Sequence, residues 1–243
     1  MDGASLDMAI HSWNQGVGRG TVVGSVGDLG TLDSLDTTAA RAACDLVELR
    51  LDLLGADCDR VRWGHLLEQP LLMTARRGDE GGAVDPDDPA RLAMLERALP
   101  DAAAVDLEVA SIGMAVEFLH GVREAGVPWV ASFHDFERTP ELAELRDKAA
   151  AAREAGAAVF KVAAMIRTPA DLARLADFQR EDQGVAVATM GMGPLAVVSR
   201  LLCAQCGSVL NYGFLGDAPT APGQWSAGEL QQAIRRLEPL VNG

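Results

Sequence analysis

Lysine is nearly missing from this sequence. Of the 21 lysine and arginine residues among 243, only Lys148 and Lys161 are lysines, so arginine is the ordinary cation here. Positive charge of either kind is also short, because 35 acidic residues leave a net charge of −14. Phosphate binding needs a basic face, so nucleic acid is not an expected partner. An anionic substrate must be drawn by a local group of arginines, not by the global field. No apolar run approaches the roughly 20 residues of a membrane span, and no membrane association is expected. Met1 to Gly20 lack the basic and apolar segments of a secretion signal, and read as a poorly ordered leader on a cytoplasmic protein. Cysteine is scarce too. Cys203 and Cys206 form a C-x-x-C with no second Cys or His pair at ligand spacing, which argues for two small buried helix residues and against zinc. Gly24, Gly27 and Gly30 are spaced G-x-x-G-x-x-G, which is not the dinucleotide fingerprint. Neither a metal nor an organic cofactor is expected.

What remains is a chain that is 49 % apolar, with Ala, Leu, Val and Gly carrying the hydrophobicity. From Thr21 onward, short apolar runs alternate with amphipathic charged segments. Strands are expected at 21–27, 45–53, 70–76, 103–109, 128–134, 158–164, 185–191 and 208–214. Helices are expected near 36–44, 60–68, 89–98, 111–125, 140–155, 168–180, 195–206 and 226–237. Several strands are continuously apolar, as in a parallel sheet covered on both faces. Thr139-Pro140 and Thr168-Pro169 each read as an N-cap followed by proline in the first helical turn. Eight strand–helix pairs without a long linker predict a single (β/α)8 TIM barrel over residues 21–243, after a leader at 1–20. A doubly wound open sheet is the alternative, since strand count alone does not prove closure.

In such a barrel the active site forms at the C-terminal ends of the strands. Polar residues gather there. Lys161 interrupts the run Ala158-Val159-Phe160-Lys161-Val162-Ala163-Ala164-Met165. Burial lowers a lysine pKa and frees an amine to attack a carbonyl, although a lysine at a strand end also snorkels to water. Lys148, in a charged helix, reads as solvated surface. Glu48, Arg50 and Asp52 are spaced by two and so are expected on one strand face, pointing inward or forming an ordinary half-exposed edge. Arg76 ends the third strand and suits a bidentate carboxylate contact, with Glu80 in the glycine-rich turn that follows. His134 ends the fifth strand, where a base is useful or where a packed histidine bonds a carbonyl. His11, His65 and His120 read as leader or helix surface. Arg200 begins the seventh helix, and the Gly/Pro loop at 216–224 folds over a ligand or merely connects.

Taken in order, six segments resemble the type I 3-dehydroquinate dehydratase family, the Schiff-base enzymes of the shikimate pathway. They are Glu48-Leu49-Arg50-Leu51-Asp52, Thr74-Ala75-Arg76 with Glu80-Gly81-Gly82, Ser132-Phe133-His134-Asp135-Phe136, Phe160-Lys161-Val162-Ala163, Ser199-Arg200 and Ala221-Pro222-Gly223-Gln224. The resemblance implies that Lys161 forms an imine with the ring ketone of 3-dehydroquinate. It further implies that His134 is general base and then acid, and that Glu80 pairs with His134. Arg200 would clamp the substrate carboxylate. Glu48, Arg50 and Arg76 would hold other polar groups, and Thr220 and Gln224 would close a lid. It implies no metal or cofactor, and a homodimer. Three departures stand out: Thr220 where serine is usual, Ala196 where glycine is usual, and Phe133 in place of a common tyrosine. They are expected to narrow the pocket or alter the substrate. The rival expectations are a class I aldolase-like lyase and a non-catalytic barrel that senses a shikimate-pathway acid.

Overall fold

A computed structural model describes residues 20–83 and 88–237. The proposed leader therefore lies almost wholly outside the described residues. Eight parallel strands follow one another: β1 (Thr21–Val26), β2 (Leu46–Arg50), β3 (Leu71–Thr74), β4 (Ala104–Glu108), β5 (Trp129–Asp135), β6 (Val159–Met165), β7 (Ala186–Met192) and β8 (Leu210–Phe214). Each is followed by a helix of the outer layer. These are α1 (Thr37–Ala43), α2 (Arg60–Trp63), α3 (Asp88–Ala98), α4 (Val116–Glu124), α5 (Leu142–Glu154), α6 (Pro169–Arg180), α7 (Ala196–Gln205) and α8 (Ala227–Ile234). The ladder runs in chain order from β7 back to β1 and on to β8. The last seam, between β7 and β8, is bridged by Val209 N–H donating to Val187 O at 3.1 Å. Chain-order pairing with β1 against β8 makes a nearly closed barrel. A doubly wound sheet, whose strand order reverses at a switch point, is excluded.

The pleat sorts the inward residues into tiers. Val23, Leu46, Leu72, Ala104, Val130 and Val159, near the N-terminal strand ends, form a buried apolar plug inside the barrel. Two residues further on, the same strands present Ser25, Glu48, Thr74, Asp106, Ser132 and Lys161, all buried. A step of two returns a side chain to the same face, so each strand carries its polar group inward at its upper end. Outward residues such as Val47, Leu49, Leu107, Ala131, Phe160 and Val162 pack against the helices in the larger core.

Three expectations are corrected. β2 ends at Arg50, and Asp52 lies in a short helical turn, Leu51–Leu54, instead of continuing the strand face. It still meets Arg50, whose Nε and Nη2 donate to its two oxygens at 2.9 and 2.7 Å. Thr139 does not cap α5. Its hydroxyl donates to Met165 O at 2.6 Å, and Glu141 holds the N-cap position. Thr168 does cap α6, in a reciprocal capping box with Asp171. Lys148 is half-buried, not free in solvent: its ammonium lies 4.0 Å from the centroid of Phe133.

Candidate active site

Lys161 is 4 % exposed and sits inside the barrel. Its Nζ donates to Asp106 Oδ2 at 3.0 Å, and the ring of Tyr212 lies beside it with its centroid 4.3 Å from Nζ. Burial lowers the lysine pKa, while the Asp106 carboxylate opposes the fall. Asp106 also accepts from Arg76 Nη2 at 2.8 Å and from the Ser132 hydroxyl. Burial alone would raise its pKa, but Arg76 and Lys161 outweigh burial and hold it at about 2. Arg76 Nη1 reaches Glu108 at 2.8 Å, and Glu108 is held in turn by Arg91 of α3, also at 2.8 Å. Burial works against the charge on Arg76, and Asp106 and Glu108 keep it fully protonated. Glu48 accepts from Thr74 at 2.8 Å and from Ser25. Buried ions are tolerated only when paired and hydrogen-bonded, and this network meets that condition.

His134 forms the second cluster. Glu80 Oε2 accepts both from the His134 backbone N–H, at 2.9 Å, and across 2.9 Å from Nδ1. A donating Nδ1–H fixes the tautomer in which Nε2 carries the lone pair. Burial, and then the cations of Arg76, Lys161 and Arg50, hold the imidazole pKa well below its usual value, so the ring stays neutral. Burial raises Glu80 to about 7 against the pull of Arg76. Glu80 reaches the site because Gly81 turns the chain with φ of 87°. A Cβ there would lie 2.4 Å from the ring of Phe136, so the turn also depends on glycine for space.

Arg200 differs from the other buried arginines. It is 3 % exposed, and Nη1 donates to Tyr212 O at 2.7 Å. Its Nε has no partner, and among the described residues no carboxylate pairs with it. Burial lowers its pKa to about 10. It lines the same cavity as Lys161, His134 and Gln224. A buried guanidinium left with open donors is a ready receptor for an anion. Over the mouth, Gln224 Oε1 accepts from the Thr220 N–H at 3.0 Å and from its hydroxyl at 2.9 Å.

All nine expected site residues therefore meet at the upper end of one barrel. The departures fall out differently from expectation. Phe133 points to the helix layer and touches Lys148, away from the cavity. Ala196 is buried beneath the lid, where a Cβ at Gly223 would lie 2.6 Å from its own, so it shapes the loop's seat and not the pocket wall. Only Thr220 lines the cavity, with its methyl group against the space left by Gly27. Sequence reasoning passed over Asp106 and Glu108, although Ala104-Val105-Asp106-Leu107-Glu108 shows the same spacing of two that marked Glu48 and Arg50. Arg91 and Tyr212 carried no such signal.

Fold and site together define a (β/α)8 barrel enzyme with a buried lysine, a neutral histidine and an uncompensated arginine facing one cavity. The chain belongs to the Type I 3-dehydroquinase family, whose family model matches residues 29–240. It is 31 % identical over 227 residues to 3-dehydroquinate dehydratase of Shouchella clausii, covering 87 % of this chain and 88 % of that protein. It is 33 % identical over 221 residues to 3-dehydroquinate dehydratase of Haloquadratum walsbyi, covering 85 % and 90 %. The solved structure of 3-dehydroquinate dehydratase from Enterococcus faecalis superposes with a TM-score of 0.79 at 25 % identity, covering 92 % of this chain and 96 % of that one. Among the described residues no helix is long and apolar enough to cross a membrane.

Proposed function

We propose that this chain dehydrates 3-dehydroquinate to 3-dehydroshikimate through an imine on Lys161. The observation that carries the reading is the buried lysine with a lowered pKa, set in one cavity with a neutral histidine and an unpaired arginine. Lys161 attacks the ring ketone, and the protonated imine then withdraws electrons from the neighbouring carbon. His134, kept neutral by burial and by the surrounding cations, takes the proton from that carbon through Nε2. The same imidazolium then returns a proton to the departing hydroxyl, so one group serves as base and acid. Glu80 fixes the ring and balances the imidazolium charge while it exists. Arg200 supplies the open donors for the substrate carboxylate. Glu48, Arg50 and Arg76 hold ring hydroxyls and the charge network, and Thr220 with Gln224 covers the mouth.

Proton removal next to a carbonyl and loss of a hydroxyl need no carbon–carbon cleavage, which distinguishes this chemistry from an aldolase's. A sensor without activity would have no use for a lysine kept so expensively desolvated. The reading extends to a cytoplasmic homodimer, and light scattering on the purified chain checks the second part. The direct test is incubation with 3-dehydroquinate and borohydride, followed by intact mass and peptide mapping. A reduced ligand adduct on Lys161, together with appearance of the conjugated enone product without borohydride, is the expected result. Turnover without any adduct would end the imine mechanism, and no turnover would end the substrate assignment.

A further inference from the structure

We infer that Tyr212 is a further residue of the reaction, whose ring face keeps the imine nitrogen on Lys161 protonated. The inference rests on the imine reading above. Tyr212 is the one tyrosine of the chain and lies mid-strand on the inward face of β8, in register with Val23 of β1. It is 4 % exposed, and its ring centroid lies 4.3 Å from Lys161 Nζ, within the distance at which a cation is attracted by an aromatic face. Its own carbonyl is held by Arg200 Nη1 at 2.7 Å, so the ring is anchored through the backbone. Its hydroxyl is buried and makes no hydrogen bond. The part of the side chain that meets Nζ is therefore the ring face, and Tyr212→Phe separates it from the hydroxyl.

The chemistry shows why a ring is useful there. Neutral Lys161 adds its lone pair to the ketone carbon. The carbonyl oxygen leaves as water, taking one proton from the amine and one from a donor. The C=N bond that remains keeps one proton on nitrogen and one positive charge. Only this cation is a strong electron sink. Loss of its proton gives a neutral imine that activates the adjacent carbon poorly. Burial favours that loss, since a low-dielectric site penalises the charged form. The charged groups around the nitrogen divide. Asp106 from β4 and Glu48 from β2 favour the cation. Arg76 from β3 disfavours it, and His134 from β5 and Arg200 from α7 become further cations of the same cavity when protonated. β7 contributes the uncharged Ala188 and Met190. The Tyr212 ring adds a negative face that brings no further carboxylate and needs no proton of its own.

The alkaline limb of kcat tests the inference, because it reports the imine proton in the bound complex. Replacing the ring in Tyr212→Leu should move that limb to lower pH by about one unit, a tenfold change in the proton equilibrium. At pH values below the shifted limb, kcat should approach the parent's. Borohydride trapping on Lys161 should fade at correspondingly lower pH. Tyr212→Phe, which keeps the ring, should retain the parent's limb. Pentafluorophenylalanine at position 212 keeps the ring's bulk but removes its negative face, and should behave as leucine does even if Tyr212→Leu does not fold. An unshifted limb with pentafluorophenylalanine, or a shifted limb in Tyr212→Phe, would overturn the role. Absence of any trapped adduct in the parent protein would instead remove the imine reading itself.

Discussion

Lys161→Ala leaves its carboxylate partner satisfied, because Asp106 still accepts from Arg76 and Ser132. The variant should therefore fold, lose the borohydride adduct and lose more than about a thousandfold in kcat, as expected when a nucleophile is removed. Turnover near the parent rate would place the nucleophile elsewhere. His134→Ala should separate the two halves of the reaction: the adduct still forms, while kcat falls by roughly a hundred- to ten-thousandfold for loss of a general base. Rapid turnover in that variant would move proton transfer to another group. Arg200 should separate binding from stability. Arg200→Met removes the unpartnered Nε but also the Nη1 donor to Tyr212 O, two effects of similar size and opposite sign, so the melting temperature of the free protein should change little. The same change should raise KM roughly ten- to a hundredfold, because a charged hydrogen bond to the substrate is lost. A variant that binds substrate as before would contradict the anion-receptor role.

The turn after β3 shows how an element sets the position of a catalytic group. Gly78–Glu80 forms one turn of 3-10 helix and Gly81 closes it in the left-handed region, so Glu80 points back to His134. Gly81→Ala puts a methyl group into the Phe136 ring and adds about 1 kcal/mol of left-handed strain. We expect a lower melting temperature and a kcat loss larger than the KM change, since the displaced group is the partner of the base. Equal effects on kcat and KM would mean that the turn serves binding alone. Elements of this kind were legible in the sequence where periodicity or punctuation signalled them. The eight strands came from apolar runs bounded by Gly and Pro, and Thr168-Pro169 marked a true cap. Thr139-Pro140 misled because a tertiary acceptor, Met165 O, competed for the hydroxyl. Asp52 misled because a strand and a helical turn both bring it to Arg50, and spacing cannot tell them apart. Asp106 was legible and overlooked. Arg91 was not legible: it follows the exposed Pro89 and Ala90, and its contacts with Glu108, Ala75 O and Ser111 come from distant parts of the chain.

Across the whole molecule, surface and interior respond to acid in opposite senses. At neutral pH the chain carries a charge of −14, and acidification toward the isoelectric point near 4.6 relieves that repulsion. The buried network resists. Asp106 has a pKa of about 2 in the folded chain against an ordinary 3.8, so below about pH 4 the unfolded chain binds its proton first. Stability therefore falls with pH in that window, by about 2 kcal/mol in all, and the loss is complete as pH drops through the folded value. Glu80 works the other way. Its pKa is raised from 4.5 to about 7, so the folded chain binds the extra proton and this contribution fades as pH rises across that interval. His134, with its pKa depressed, opposes Glu80 over much of the same range, and the two titrate as a pair. Below about pH 4 Asp28, Asp79, Asp171 and Glu181, held low by their hydrogen bonds, add to the loss, so the share of the network is read by comparison with a variant. Urea unfolding of the parent chain from about pH 5 down to about pH 2 should show a steep loss of stability. Asp106→Asn should flatten that loss while lowering stability at neutral pH by about 3–5 kcal/mol, because Arg76 is left with Glu108 as its carboxylate partner and Lys161 loses the carboxylate that supports its charge. Parallel pH profiles for the two proteins would show that the acid sensitivity arises elsewhere, and that the charges which prepare Lys161 for chemistry do not also govern how the barrel fails in acid.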